Sequence, residues 1–261
     1  MGISDDRAGM SEAQSAERSP LRRASTTQSV PGRYGLACLI LTLPVLLLGF
    51  LLTQGLLGAG LGLIAFLVMA GTAGWGLAGS YPHERLGIAN LVTLARTGIV
   101  AGLFSLLLTP GLLAEDQSLA WAVLGVAVLS LCLDGVDGFF ARRQGLTSSF
   151  GARFDMEVDS VFALLLALLS WQSGKAGAWV LLLGGMRYLF LAAAIVWPWL
   201  MAPLPERFSR KAICVIQIGI LIALLAPIIS GPLSWTIAAI GTLLLVYSFG
   251  RDIAWLARHR S

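Results

Sequence analysis

Residues 34–82 contain no Asp, Glu, Lys or Arg, and runs equally free of these residues cover 97–114, 117–133, 160–174 and 212–250, while 176–205 is broken only by Arg187. A helix needs about 20 apolar residues to cross the hydrocarbon of a bilayer. Turn-forming or polar punctuation divides the runs at Thr53-Gln54-Gly55, Thr109-Pro110-Gly111, Ser173-Gly174-Lys175 and Ser230-Gly231-Pro232 on one side. On the other side the breaks are longer, at residues 80–87, 139–153 and 200–211. The pattern predicts eight helical spans, at 35–53, 56–78, 88–108, 117–138, 155–172, 177–198, 212–229 and 233–250. The fold class is an all-α polytopic transmembrane bundle. A transmembrane β-barrel is excluded, because its strands alternate polar and apolar positions.

Composition removes the soluble alternative. Of the 261 residues 57% are apolar and 12% charged, against about 45–50% and 25% in a soluble domain, and the mean hydropathy is +0.81. Residues 1–33 differ: rich in Ser, Thr, Arg and acids and without the apolar core of a secretory signal, they read as a disordered tail. The basic residues sort by side. All but Arg96, Lys175 and Arg187 of the 18 lysines and arginines lie in the tail, in the three longer connections or at the C-terminus. The positive-inside rule therefore puts both termini and those connections in the cytoplasm, in the cell inner or plasma membrane. The eight tryptophans fall near span ends, where amphipathic rings belong. With the basic residues assigned to topology, no nucleic-acid partner is expected. Cys38, Cys132 and Cys214 lie in apolar runs and read as small buried hydrophobes, and His83 and His259 lack the spacing of zinc ligands. Gly58 and Gly62 form a GxxxG pair that permits close helix packing.

Ionisable groups are expensive inside a membrane, about 2.5–3.5 kcal/mol each at a helix centre on insertion scales, so their clustering is informative. Asp134 and Asp137 are three residues apart at the end of the fourth span, and Asp155 and Asp159 four apart at the start of the fifth. Each pair therefore shares a helix face, and a short connection lets the two faces meet. Four converging carboxylates repel unless cations neutralise them, and hard ions such as Mg²⁺ or Mn²⁺ prefer such an all-oxygen set. Gly138 and Gly151 leave room for a phosphate to approach the backbone, and Arg142 can fork onto its oxygens.

The run D-x2-D-G-x2-A-R-x8-G-x3-D-x3-D, filled by Asp134, Asp137, Gly138, Ala141, Arg142, Gly151, Asp155 and Asp159, resembles the signature of the CDP-alcohol phosphotransferase family. The resemblance implies a six-helix membrane core that transfers a substituted phosphate from a CDP-linked donor to an alcohol and releases CMP. It implies that Asp134, Asp137, Asp155 and Asp159 hold metal, two Mg²⁺ or Mn²⁺ ions in all, with Asp159 also acting as base. Gly138, Ala141, Arg142 and Gly151 would line the CDP site. Asn90, Thr93 and Arg96 resemble the family's N-x2-T-x2-R pattern, which faces the nucleotide, and Lys211 and Gln217 its K-x5-Q. The implied division is a tail at 1–33, an added two-helix hairpin at 34–79, the core at 80–250 and a C-terminal tail at 251–261.

A lipid-linked nucleotide, CDP-diacylglycerol, is the expected donor, membrane lipid the surroundings, and phosphatidyl transfer in phospholipid synthesis the expected reaction. The alternative within the family moves a head-group phosphate from a CDP-alcohol to a lipid alcohol. The acceptor is open: members making phosphatidylglycerol phosphate typically read D-P-x-A-D-K where this chain reads Asp155-Met156-Glu157-Val158-Asp159-Ser160. Arg153, Arg187, Arg210 and Lys211 are candidate acceptor contacts. A divalent-cation or small-solute transporter is the competing class, disfavoured because the acids lie at the ends of consecutive spans, without a second copy of the motif. The two added spans have two candidate uses, homodimer packing and lipid access.

Overall fold

The computed structural model describes residues 29–144, 146–204 and 208–259, with all of their side chains except those of Ala141, Arg142, Phe208 and Lys211. These residues form helices without strands. The long ones are α1 (Val30–Thr53), α2 (Leu56–Ser80), α3 (Ile88–Leu103, continued by a 3-10 turn Phe104–Leu108), α5 (Gln117–Gln144), α6 (Ser149–Gln172), α7 (Val180–Val196), α8 (Phe208–Leu224) and α9 (Gly231–Arg258); α4 (Leu112–Glu115) is a single turn. Five of the helices are long and apolar enough to cross a membrane, and two shorter apolar stretches lie in α7 and α8. α6 carries the motif acids in its first turns, which removes it from that count despite its apolar remainder.

Local chemistry sets the ends. The Ser29 hydroxyl accepts from Gly32 N–H to start α1, and Gln54 closes the helix at φ +50°. Asp116 caps α5, accepting from the N–H groups of Ser118 and Leu119 at 2.9 and 3.1 Å. Hydrogen bonds from the Ser118 hydroxyl and Leu119 N–H hold its carboxyl below the usual range. Gly231 at φ +58° lets the chain turn into Pro232 at the start of α9.

α3 is the central strut. It packs against α1, α2, α5 and α6, and Leu94, Val100, Ala101 and Leu103 are fully buried. α7 lies on α6, and α9 on α7 and α8. The hairpin α1–α2 packs on α3, its two helices tied to each other by the Tyr34 hydroxyl, which donates to the Ala70 carbonyl at 2.8 Å. Its outer face bears exposed Leu39, Leu43, Leu56, Leu57 and Trp75. So large an apolar surface is stable against lipid rather than water, and the chain is a polytopic all-α membrane bundle.

Close approach of helices depends on glycine at two crossings. A Cβ on Gly62 would lie 3.1 Å from the Ala101 carbonyl oxygen of α3, whereas Gly58 of the same GxxxG pair meets the Thr53 side chain at the hairpin turn. On α7, a Cβ at Gly184 would lie 2.5 Å from the Ala163 carbonyl oxygen and 2.7 Å from the Ala167 Cβ of α6. Gly184→Val is expected to force α7 off α6 and destabilise the fold by about 1–3 kcal/mol, read as a lowered melting temperature in detergent. An unchanged melting temperature would contradict this packing.

Three expected boundaries are corrected. The connection expected at 139–153 is helical for most of its length: α5 continues to Gln144 and α6 begins at Ser149, whose preceding Ser148 hydroxyl accepts from Gly151 N–H at 3.0 Å. α9 continues to Arg258, through most of the expected tail at 251–261, and α1 begins at Val30, inside the expected tail at 1–33, whose first 28 residues lie outside the described ones. Loss of hydropathy marks where lipid ends, whereas a helix persists through Arg and Gln, which are good helix formers.

Lys175, in the turn after α6, has a structural use. Its ammonium donates to the carbonyls of Ala226 and Ile229, at 3.1 and 2.7 Å, in the turn that follows α8. Burial pushes its pKa down.

Candidate active site

Three helices bring the motif together. α5 presents Asp134 and Asp137, α6 presents Asp155 and Asp159, and α3 presents Asn90, Thr93 and Arg96 at intervals of three residues, all on its inner face. One carboxylate oxygen each from Asp134, Asp137 and Asp155 lie within 4.8 Å of one another, which suits a hard divalent ion held by oxygen. The Thr93 hydroxyl donates to Asp137 Oδ2 at 3.0 Å.

At the centre stands Arg96, whose side chain is 1% exposed. Its Nη1 lies 2.9 Å from Asp134, 3.3 Å from Asp137 and 2.6 Å from Asp155, its Nη2 lies 2.5 Å from Asp159, and its Nε donates to the Ser130 carbonyl at 3.1 Å. A single guanidinium thus faces four carboxylates, leaving a formal excess of negative charge that a divalent cation would reduce. From the sequence Arg96 is expected to face the nucleotide; the structure seats it among the acids, on contacts made across 34–63 residues of chain.

Two cavities flank the acids. A small one of ≈ 160 Å³ is lined by Asn90, Thr93, Asp137, Gly138, Gly151 and Asp155 among others. The Gly151 position is tight, since a Cβ there would lie 3.1 Å from Asn90 Oδ1. A larger one of ≈ 450 Å³ reaches from Asp159 past Arg187 and Gln217 to apolar side chains including Phe190, Leu200 and Phe249.

The remaining candidates separate. Arg187 is joined to Glu157, and Gln217 donates to the Leu183 carbonyl at 2.5 Å. Arg210 instead reaches Asp252 on α9, at 2.8 Å, with the Asp252 carboxylate buried. Arg153 lines a third cavity on a different face of α6. The side chains of Ala141, Arg142 and Lys211 lie outside the described residues. Two residues escaped sequence reasoning, Glu157 as the partner of Arg187 and Asp252 as that of Arg210. Their only sequence signal is an acid at the edge of an apolar run, which does not say which cation it meets.

The molecule is thus an integral membrane helical bundle with a half-buried cluster of acids between three helices, flanked by a small cavity lined by polar residues and a larger, mainly apolar one. Residues 86–247 match the model of the CDP-alcohol phosphatidyltransferase family, more than half of the chain, and the chain belongs to that family. It is a family of transferases of phosphate-containing groups, typically dependent on divalent metal, acting in lipid biosynthesis. Comparisons with curated proteins and with solved structures return no match.

Proposed function

We propose that the protein transfers a phosphatidyl group from CDP-diacylglycerol to an alcohol acceptor, releasing CMP, at the cytoplasmic face of the cell's inner or plasma membrane. The observation that carries this reading is the convergence of Asp134, Asp137, Asp155 and Asp159 between a polar and an apolar cavity. The polar cavity suits the CDP diphosphate, with Asn90, Thr93, Gly138 and Gly151 in its wall. The apolar cavity suits the approach of lipid and acceptor to Asp159.

Mg²⁺ or Mn²⁺ held by these aspartates would supply positive charge to the diphosphate. The chain's own residues do the rest. Asp159, bordering the larger cavity, takes the proton of the acceptor hydroxyl as its oxygen bonds to the donor's β-phosphorus, and the phosphorus–oxygen bond to CMP breaks. Thr93 orients Asp137 through its hydroxyl. Arg187, already carrying charge into the larger cavity, is placed to meet an acceptor phosphate. The division into an added hairpin at 34–79 and a catalytic core at 80–250 accords with the family match, which begins at residue 86.

Purified protein is tested for CMP release with CDP-diacylglycerol and Mg²⁺ or Mn²⁺ against glycerol 3-phosphate, inositol 1-phosphate, inositol and serine. Release with one of these acceptors, abolished by chelation, is expected; none with any of them would overturn the proposal. A side chain at Gly151 presses on Asn90, so Gly151→Val is expected to raise the KM for the CDP-linked donor about tenfold or more, a loss of at least about 1.4 kcal/mol of donor binding. An unchanged donor KM would remove Gly151 from the site.

A further inference from the structure

The third cavity, ≈ 500 Å³, lies between α2 and α6. Its walls include Val68, Ala73 and Gly76 of α2 and Phe154, Val158 and Val161 of α6, with Ser80 and Arg153 at one end. α2 precedes the family-matched residues, so half of this cavity is built by the added hairpin. We propose that it binds one acyl chain of a resident anionic phospholipid of the cytoplasmic leaflet, with the lipid phosphate on Arg153.

Three observations select that occupant. The first is depth. Ser80 and Val68 are twelve residues apart on one helix, a rise of about 18 Å at 1.5 Å per residue, against about 15 Å for half of a 30 Å hydrocarbon core. The cavity therefore runs from the charged end of the bundle to the middle of the bilayer, as a chain of one leaflet does. The second is polarity. The deep walls are apolar, whereas Arg153 stands at the charged end, with Nε donating to the Ser149 carbonyl of its own helix at 3.3 Å. Glu157, the acid in the wall, is paired with Arg187, which leaves Arg153 as the charge presented to a headgroup. Its guanidinium matches a phosphate in shape and charge. The third is access. Val68 and Thr72 are exposed on the rim, so a chain enters sideways from the surrounding lipid.

The site is separate from the transfer reaction, since Arg153 and its cavity lie on a face of α6 away from the contacts of Asp155 and Asp159. Occupancy would seat the added hairpin on the family core.

The test uses the full chain in lipid bilayers doped with phosphatidylglycerol carrying a photoactivatable diazirine on one acyl chain, with labelled positions read by peptide mass spectrometry. Label is expected on the cavity residues of α2 and α6 above that on Leu43, which faces lipid on α1. Ala73→Trp, or Val161→Phe filling from the other wall, is expected to lower cavity labelling at least fivefold and leave Leu43 unchanged. Arg153→Gln is expected to lower it at least threefold. Labelling no stronger than at Leu43, or indifferent to all three substitutions, would overturn the proposal. So would loss of the label on adding CDP-diacylglycerol, which would assign the cavity to the donor. None of these readouts requires turnover, so failure of the proposed reaction and failure of this site are distinguishable.

Discussion

Asp159→Asn is expected to lower the rate of CMP release by about 10²–10⁴-fold, the range that a positioned proton acceptor contributes. The substitution keeps the size of the side chain and an oxygen for Arg96, which lies 2.5 Å from Asp159 in the native chain, but removes the basic carboxylate. Because Asp155 remains one turn away on the same helix, cation binding is expected to survive in part. The measurement pairs the rate with the KM for the donor and with the melting temperature. A large fall in kcat with little change in either is the expected pattern. Activity within tenfold of the native enzyme would mean that Asp159 is not the base and that the proton leaves by another route.

Arg96→Met is expected to have the largest effect on stability. Without metal, Arg96 is the cation in direct contact with Asp134, Asp137, Asp155 and Asp159. Methionine fills part of its volume and leaves the carboxylates without it, Asp137 buried and the other three about a third exposed to solvent; removal of one partner of a buried ion pair typically costs about 3–5 kcal/mol, and solvent at the three half-buried acids puts the expected loss at the low end of that range. At roughly 2–4 °C per kcal/mol for a chain of this size, the melting temperature in a chelator should fall by about 10 °C. Saturating Mg²⁺ should restore more of the melting temperature in this variant than it adds to the native protein, because ions binding only the folded site shift its stability by mass action. Equal metal-induced shifts in the two proteins would show that Arg96 and the ions do not answer the same charge deficit.

Both predictions concern residues visible in the sequence, but what surrounds each of them was not equally legible there. The i, i+3 and i, i+4 spacings place each aspartate pair on one face of a helix, and the hydropathy runs place those faces at a membrane boundary. These are properties of neighbouring residues. Arg96 resembled a nucleotide contact, and nothing in its surroundings along the chain indicates that its guanidinium stands among acids 38–63 residues further on. Arg210 likewise read as an acceptor contact, whereas Asp252, on a segment expected to be a tail, holds it at 2.8 Å.

The sequence by itself determined that this is a polytopic helical membrane protein, where its long apolar helices run, and that its four motif aspartates form two one-faced pairs. Lipid excludes unpaired backbone groups and charges so strongly that hydropathy and spacing alone specify those features. Only the tertiary structure decided which cation each acid meets, that Arg153 faces the cavity against the added hairpin, and that the acids lie between a polar and an apolar chamber. Ion pairing and cavity shape depend on side-chain distances of a few ångströms between helices far apart along the chain, and packing alone sets those distances.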